Sequence, residues 1–153
     1  MIITRATEHS ITAMLYLAAQ HPNPVVSKRE ICKSEGITPA FLTKILQPLI
    51  HSGLVKSKRG VAGGFRLARD PEKITLWDVM KAVEEPLALN VCLTNDSDCN
   101  RVDYCPVHEM WAEVRQDMEK IFTRKNLAQI AKERTDNLKY RGSRAGESCC
   151  AQK

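Results

Sequence analysis

Apolar residues recur every three or four positions along much of the chain, and the gaps between these runs hold residues that start and stop helices. Ile11, Met14, Leu15 and Ala18 share one helical face, and the pattern stops near His21-Pro22-Asn23-Pro24, which predicts a first helix. Ser27-Lys28-Arg29-Glu30 has the spacing of a capping box, with Gly36 closing a short second helix. Thr38-Pro39 supplies a cap and a first-turn proline, and Leu42, Ile45, Leu46 and Leu49 mark the buried stripe of a third helix that stops at Gly53. Pro48 lies inside that stripe. It lacks a backbone donor and its ring crowds the carbonyl four residues back, so a kink or early fraying is expected.

The period then changes. LVKSKRGVAGGFRLAR reads as two short strands, Leu54 to Lys58 and Phe65 to Leu67, around a turn with Gly60, Gly63 and Gly64. Thr75 and Asp78 cap a fourth helix in which Leu76, Val79, Met80 and Val83 repeat until Pro86. A polar, irregular loop runs to Tyr104. From Pro106 a long helix carries Val107, Met110, Trp111, Val114, Met118, Ile121 and Phe122 on one stripe, and such a stripe needs a partner. A weaker helix is expected through Leu127 and Ile130, followed by a disordered tail. The predicted organisation is 1–70, 71–135 and a tail of 136–153. The fold class is mostly α with a small β-hairpin wing: helix, helix, turn, helix and basic hairpin is the order of a winged helix-turn-helix.

Charge sharpens this picture. Residues 1–70 carry ten Lys and Arg against four acids, residues 71–110 three against eight, and residues 111–153 ten against six. A basic N-terminal domain suits a polyanion, and the acidic middle would be repelled by one. Double-stranded DNA is therefore the expected partner. On the third helix Thr38, Ala40, Thr43, Lys44 and Gln47 would face the major groove, with Thr43 and Gln47 able to read base edges. Lys28 at the start of the second helix and Lys56, Lys58 and Arg59 on the hairpin would fix register on phosphates. At 153 residues and 43% hydrophobic content the chain can bury one core of ordinary size. The start, MIITRATEHS, has neither the cationic nor the apolar region of an export signal, and no run approaches the ~20 apolar residues of a membrane span. A cytoplasmic address and no membrane partner are expected. No nucleophile-base arrangement or phosphate loop supports an enzyme.

The acidic middle holds the remaining chemistry. CLTNDSDCNRVDYCPVH sets Cys92, Cys99, Cys105 and His108 in a C-x6-C-x5-C-x2-H pattern. Thiolates are soft ligands that favour zinc, copper(I) or iron-sulfur centres, and in a reducing compartment such a group points to metal rather than disulfides. The wide spacing suits a multi-iron cluster better than a tight zinc knuckle, and it leaves zinc open. Cys105 and His108 are one helical turn apart and share a face. Cys32 reads as a small core residue, Cys149 and Cys150 as part of the tail, and His9, His21 and His51 as ordinary surface or helix-end residues.

ITAMLYLA, GITPAFLTKIL, GLVKSKRGVAGGFRLAR and the three cysteines ending in CPVHEMW together resemble the winged-helix iron-sulfur regulators of the IscR, NsrR and RirA family, over residues 1 to about 135. The resemblance implies a homodimer joined by the long helix from Pro106, one iron-sulfur cluster per subunit, and DNA affinity set by cluster state. A histidine after the third cysteine is similar to members with a 2Fe-2S cluster, and Glu8 stands where 4Fe-4S members place an acidic ligand. His108 is the expected fourth ligand, with a 2Fe-2S cluster, and Glu8 with a 4Fe-4S cluster is the alternative. The function expected is a transcription regulator, by preference a repressor, responding to iron, redox or nitric oxide status. The alternatives are a redox or cluster-transfer protein, and a DNA-binding regulator with a structural zinc site.

Overall fold

A computed structural model describes residues 3–22, 25–84, 91–93 and 99–147, with the side chains among them except at 91 and 141–147. Helix α1 (Arg5–Ala19) starts at Thr4, whose hydroxyl accepts from the Thr7 N–H. Helix α2 (Lys28–Glu35) opens on the reciprocal box of Ser27 and Glu30 and ends at Gly36. Helix α3 (Pro39–His51) has Thr38 as its cap and Pro39 in the first turn. The starts of α2 and α3 are those the local sequence predicts, whereas α1 begins six residues before the Ile11 from which its apolar pattern runs. In each case the cap satisfies N–H groups that the helix itself leaves free.

Pro48 does not fray α3, which continues to His51. Leu46 and Leu49 on either side of it are both buried, and the Ser52 N–H closes the last turn onto the Pro48 carbonyl at 2.9 Å. Burial on both flanks outweighs the single hydrogen bond that proline removes.

Strands β1 (Val55–Lys58) and β2 (Gly64–Leu67) form an antiparallel hairpin in the register Val55↔Leu67, Lys56↔Arg66, Ser57↔Phe65 and Lys58↔Gly64. Val26, just before α2, adds a bridge to Phe65 with paired hydrogen bonds of 2.9 and 2.8 Å, which ties the hairpin to the helical body. Helix α4 (Leu76–Val83) opens on the Thr75 and Asp78 box. Helix α5 (Pro106–Thr123) begins at the expected proline. The core lies where α1, α3, α4, the base of the hairpin and α6 converge, around Met14, Leu42, Ile45, Leu49, Ile74, Val79 and Leu127.

Helix α6 (Leu127–Glu147) is longer than the sequence predicts, which placed a tail from residue 136. Its start is capped reciprocally, Asn126 and Gln129 each bonding the other's backbone N–H at 2.9 and 3.1 Å. Leu127 and Ala131 are buried in the core shared with α1. With those turns nucleated by packing, adding each further residue needs little more than one hydrogen bond, so the polar stretch beyond follows.

None of the residues of α5 is buried. It packs against α4, where Phe122 stacks on Trp77 at 6.5 Å between ring centroids, and against the turn at 91–93. Among the described residues no helix is long and apolar enough to cross a membrane.

Candidate DNA interface and cysteine loop

The residues predicted to meet DNA do share a surface. Thr38, Ala40, Thr43, Lys44 and Gln47 are all exposed, on the side of α3 opposite its buried leucines. Their chemistry differs from what spacing alone suggests. The Thr38 hydroxyl caps the helix, accepting from the Phe41 N–H at 3.4 Å. The Thr43 hydroxyl donates to the Pro39 carbonyl at 2.8 Å and accepts from the Lys28 ammonium at 2.5 Å. Of the polar residues in this set, Gln47 and Lys44 are the ones whose side chains make no such bond among the described contacts. The link between Lys28 and Thr43 joins residues fifteen apart on two helices, and no local pattern in the sequence signals it.

Lys28 opens α2, where Ser27 also anchors Glu30. Hydrogen bonds from the Ser27 hydroxyl, then its backbone N–H, hold the Glu30 carboxyl below the usual glutamate range. On the hairpin Lys56, Lys58, Arg59 and Arg66 are exposed. Lys56 and Arg66 are direct register partners, and like charges in that position repel. A polyanion laid against them would offset the repulsion, so the arrangement suits phosphate contact.

The cysteine-bearing segment lies at the other end of the chain's charge pattern. Cys92 is buried, Cys99 and Cys105 are half-buried, and all three are free thiols. Cys105 is the residue from which α5 starts, and its side chain makes no capping hydrogen bond. The His108 N–H donates to the Cys105 carbonyl at 3.1 Å. The Nδ1 of His108 is buried and has no hydrogen-bond partner among the described residues. Among the described residues no three Cys, His, Asp or Glu side chains come close enough to share one metal ion. Residues 94–98, which connect Cys92 to Cys99, and Cys149 with Cys150 lie outside the described residues. Glu8 is exposed in the first turn of α1. Three thiols free of disulfides and an imidazole nitrogen without a partner are the donor types that zinc and iron-sulfur centres take, so the donor set fits such a group.

Three further contacts were not legible in the sequence. Glu84, the residue that ends α4, reaches the start of α1, where its Oε1 accepts from the Thr4 hydroxyl at 2.6 Å, the Thr4 N–H at 3.2 Å and the Thr7 hydroxyl. Hydrogen bonds from the Thr4 and then the Thr7 hydroxyl hold its carboxyl below the usual range, against the opposing effect of burial. Arg134 on α6 grips Glu35 of α2 through two bonds of 2.7 and 2.9 Å. His9, expected to be an ordinary surface residue, sets its ring edge-on to Phe41 of α3 at 5.5 Å.

Comparison with known proteins bears directly on this surface. Residues 3–133 match the model of a family described as Rrf2, iron-dependent transcriptional regulator. A putative HTH-type transcriptional regulator of Aquifex aeolicus is 32% identical over 124 residues, covering 80% of this chain and 85% of that protein. The structure of CymR, the global cysteine regulator of B. subtilis, superposes with a TM-score of 0.70 at 26% identity, over 87% of this chain and 98% of that one. The structure of IscR from T. potens does so with a TM-score of 0.68 at 25% identity, over 87% and 88% of the two chains.

Proposed function

The chain belongs to the Rrf2 family and is a DNA-binding transcriptional regulator, and within that role we propose that its operator affinity is governed by an iron-sulfur cluster on Cys92, Cys99 and Cys105, with His108 as fourth ligand. The observation that carries this reading is the buried Nδ1 of His108, which has no partner among the described residues and lies one turn beyond Cys105. A buried polar atom without a hydrogen bond is destabilising and rare in a folded chain, and this one lies three residues beyond a cysteine whose side chain makes no capping hydrogen bond. A bound cluster would supply a centre whose redox state or loss registers iron, oxidant or nitric oxide. The chain's own contribution is to hold the donors. Cys105 stands where α5 begins, and the first turn of α5 keeps His108 on the same face.

The same reading assigns α3 to a major groove, with Gln47 and Lys44 as the outward polar groups, and the hairpin to the adjacent backbone and minor groove. Two copies of the chain would be needed to read a two-fold operator. Support for a homodimer comes from α5, where Val107, Met110, Val114 and Ile121 are 44, 62, 45 and 53% exposed. They fall within roughly 100° of the helix circumference, the width of a face that is normally buried. Repression is the regulatory sign assigned, because a protein bound across a promoter blocks polymerase by occupancy alone.

The test is an absorption spectrum of protein purified without oxygen, followed by DNA binding of the holo and cluster-free forms. Visible colour with bound iron and sulfide, lost in Cys92→Ala, Cys99→Ala and Cys105→Ala, and a change in operator affinity on cluster removal are expected. Colourless protein with stoichiometric zinc would replace the sensor with a structural metal site. A spectrum altered by Glu8→Ala and untouched by His108→Ala would assign the fourth position to the carboxylate and favour 4Fe-4S over 2Fe-2S.

A further inference from the structure

The tip of the hairpin carries an exposed apolar side chain in the middle of its cations. Val61 has a relative exposure of 111%, far above Tyr104 at 72%, the next most exposed of the large apolar residues. Turn tips usually carry polar residues, glycine or proline, so a fully solvated isopropyl group between Arg59 and the glycines has no role in the chain's own packing. The turn that presents it is fixed. Gly60 has φ of 105°, which side-chain-bearing residues rarely adopt, and its carbonyl accepts from the Gly63 N–H at 2.9 Å. The next residue, Gly64, passes so close to the Val26 carbonyl that a Cβ there would collide with it. The hairpin is thereby seated on the body while its tip projects outward.

Resting on the DNA-binding reading above, we propose that Val61 is the wing's apolar contact with DNA, packed against the deoxyribose walls of a narrow minor groove and so selecting A·T-rich sequence at that position. With α3 in the major groove, the hairpin meets the neighbouring minor groove, which is about 6 Å wide and admits a turn tip but not a whole two-stranded ribbon. Narrow A·T tracts concentrate negative potential that draws in Lys58 and Arg59. The walls of such a groove are largely sugar C–H surface, which is apolar. Valine suits this contact because branching at Cβ leaves it little rotamer freedom to lose on binding. Its side chain is also too short to enter between stacked base pairs, so the contact reads groove width without opening a step. Guanine's exocyclic amine would stand in the groove floor and widen it, and a tip residue making wall contact is sensitive to that change.

The experiment compares the wild-type protein, purified anaerobically, with Val61→Thr and Val61→Ala on a duplex that the wild type itself selects from a random pool. Hydroxyl-radical footprinting locates the base pairs under the wing, which are then changed to G·C or to inosine·C, a pair that lacks the minor-groove amine. Wild type is expected to bind A·T and I·C versions about three- to tenfold more tightly than G·C, the range that partial burial of one valine supplies. Both variants should lose this preference and keep the salt slope and the discrimination under α3. Because Val61 touches nothing in the fold, thermal melts of the variants should match wild type. Unchanged wing preference in both variants overturns the proposal, and so does an altered salt slope, since that would place the effect on the neighbouring cations. A rise in fluorescence of 2-aminopurine at the wing position on wild-type binding would mean base-pair opening and would also overturn it. Failure of the wild type to select any duplex would instead remove the DNA reading on which the proposal stands.

Discussion

Glu84 Oε1 accepts a hydrogen bond from the Thr4 hydroxyl at 2.6 Å across 80 residues of sequence. Thr4 caps α1, and the third helical position, where a capping box would place a glutamate, is occupied by Thr7. The carboxylate comes from the end of α4 instead, and it binds the Thr4 N–H as a local glutamate would. The box is closed by tertiary structure. Since Glu84 ends α4, one carboxylate fastens the start of α1 to the end of α4.

Replacing that carboxylate gives a prediction with a defined pH dependence. The Glu84 carboxyl is depressed in the fold by the Thr4 and Thr7 hydroxyls. Its stabilisation is therefore fully present above the ordinary glutamate value and is lost as pH falls through the lower, folded value. Glu84→Gln is expected to lower stability at pH 7 by roughly 1 to 2 kcal/mol, the range for a cap and a charged hydrogen bond. Thermal melts should show a gap from wild type that is constant above about pH 5 and closes as pH drops below the usual glutamate range. A gap that persists at pH 3 would show that the charge plays no part.

A second tie holds α6 to α1 and α2. The Glu35 side chain is only 3% exposed and is held by both Arg134 bonds, and Arg134 also donates to the Thr12 carbonyl at 3.2 Å. Arg134→Ala leaves that carboxylate buried without its cation, and a loss of about 2 to 4 kcal/mol is expected in urea unfolding. Arg134→Ala combined with Glu35→Ala should recover part of the loss, because the uncompensated charge goes with the second substitution. If the double variant is no more stable than Arg134→Ala alone, the alkyl packing of the arginine is what matters.

These two ties also mark the boundary of what the sequence reveals. Ser27 with Glu30 and Thr75 with Asp78 were legible because a capping box is written within four consecutive residues. The wing was legible because its glycines and cations are contiguous. Glu84 with Thr4, Arg134 with Glu35 and Lys28 with Thr43 depend on how helices lie across one another, which no single stretch encodes. The extent of α6 was underread for a related reason: its polar outer face looks like tail, and its helicity rests on Leu127 and Ala131 packing in the core shared with α1. Of the candidate cluster ligands, the sequence supplied the identities and the turn shared by Cys105 and His108. Their assembly depends on a loop whose path lies partly outside the described residues.

The exposed stripe of α5 makes the dimer testable without disturbing the fold. Val114 is 45% exposed and Met110 is 62% exposed, so a charge at either position is solvated in a single chain and buried in a dimer. Val114→Glu is expected to shift sedimentation from dimer to monomer at micromolar concentration while leaving the helical circular dichroism of the chain in place. The monomer should also lose most affinity for a two-site operator. A variant that still sediments as a dimer would take the interface away from this face of α5.

The last prediction separates the two polar residues of α3 that spacing treats alike. Thr43 and Gln47 both face outward, yet the Thr43 hydroxyl already donates to Pro39 and accepts from Lys28. A hydroxyl engaged at both ends has little capacity left for a base edge, and what it does is hold the Lys28 ammonium over the exposed side of α3. Thr43→Val keeps the branched shape and removes the hydroxyl. It is expected to weaken binding by a similar factor on every operator variant and to reduce the salt slope by up to about one, as for loss of a phosphate contact. Gln47→Ala should behave differently, leaving the salt slope alone and removing roughly 1 to 3 kcal/mol of discrimination at one base pair. Binding assays across single-base-pair variants at several salt concentrations distinguish the two. A change of preferred base in Thr43→Val with an unaltered salt slope would mean that the hydroxyl leaves Lys28 when DNA arrives and reads a base directly.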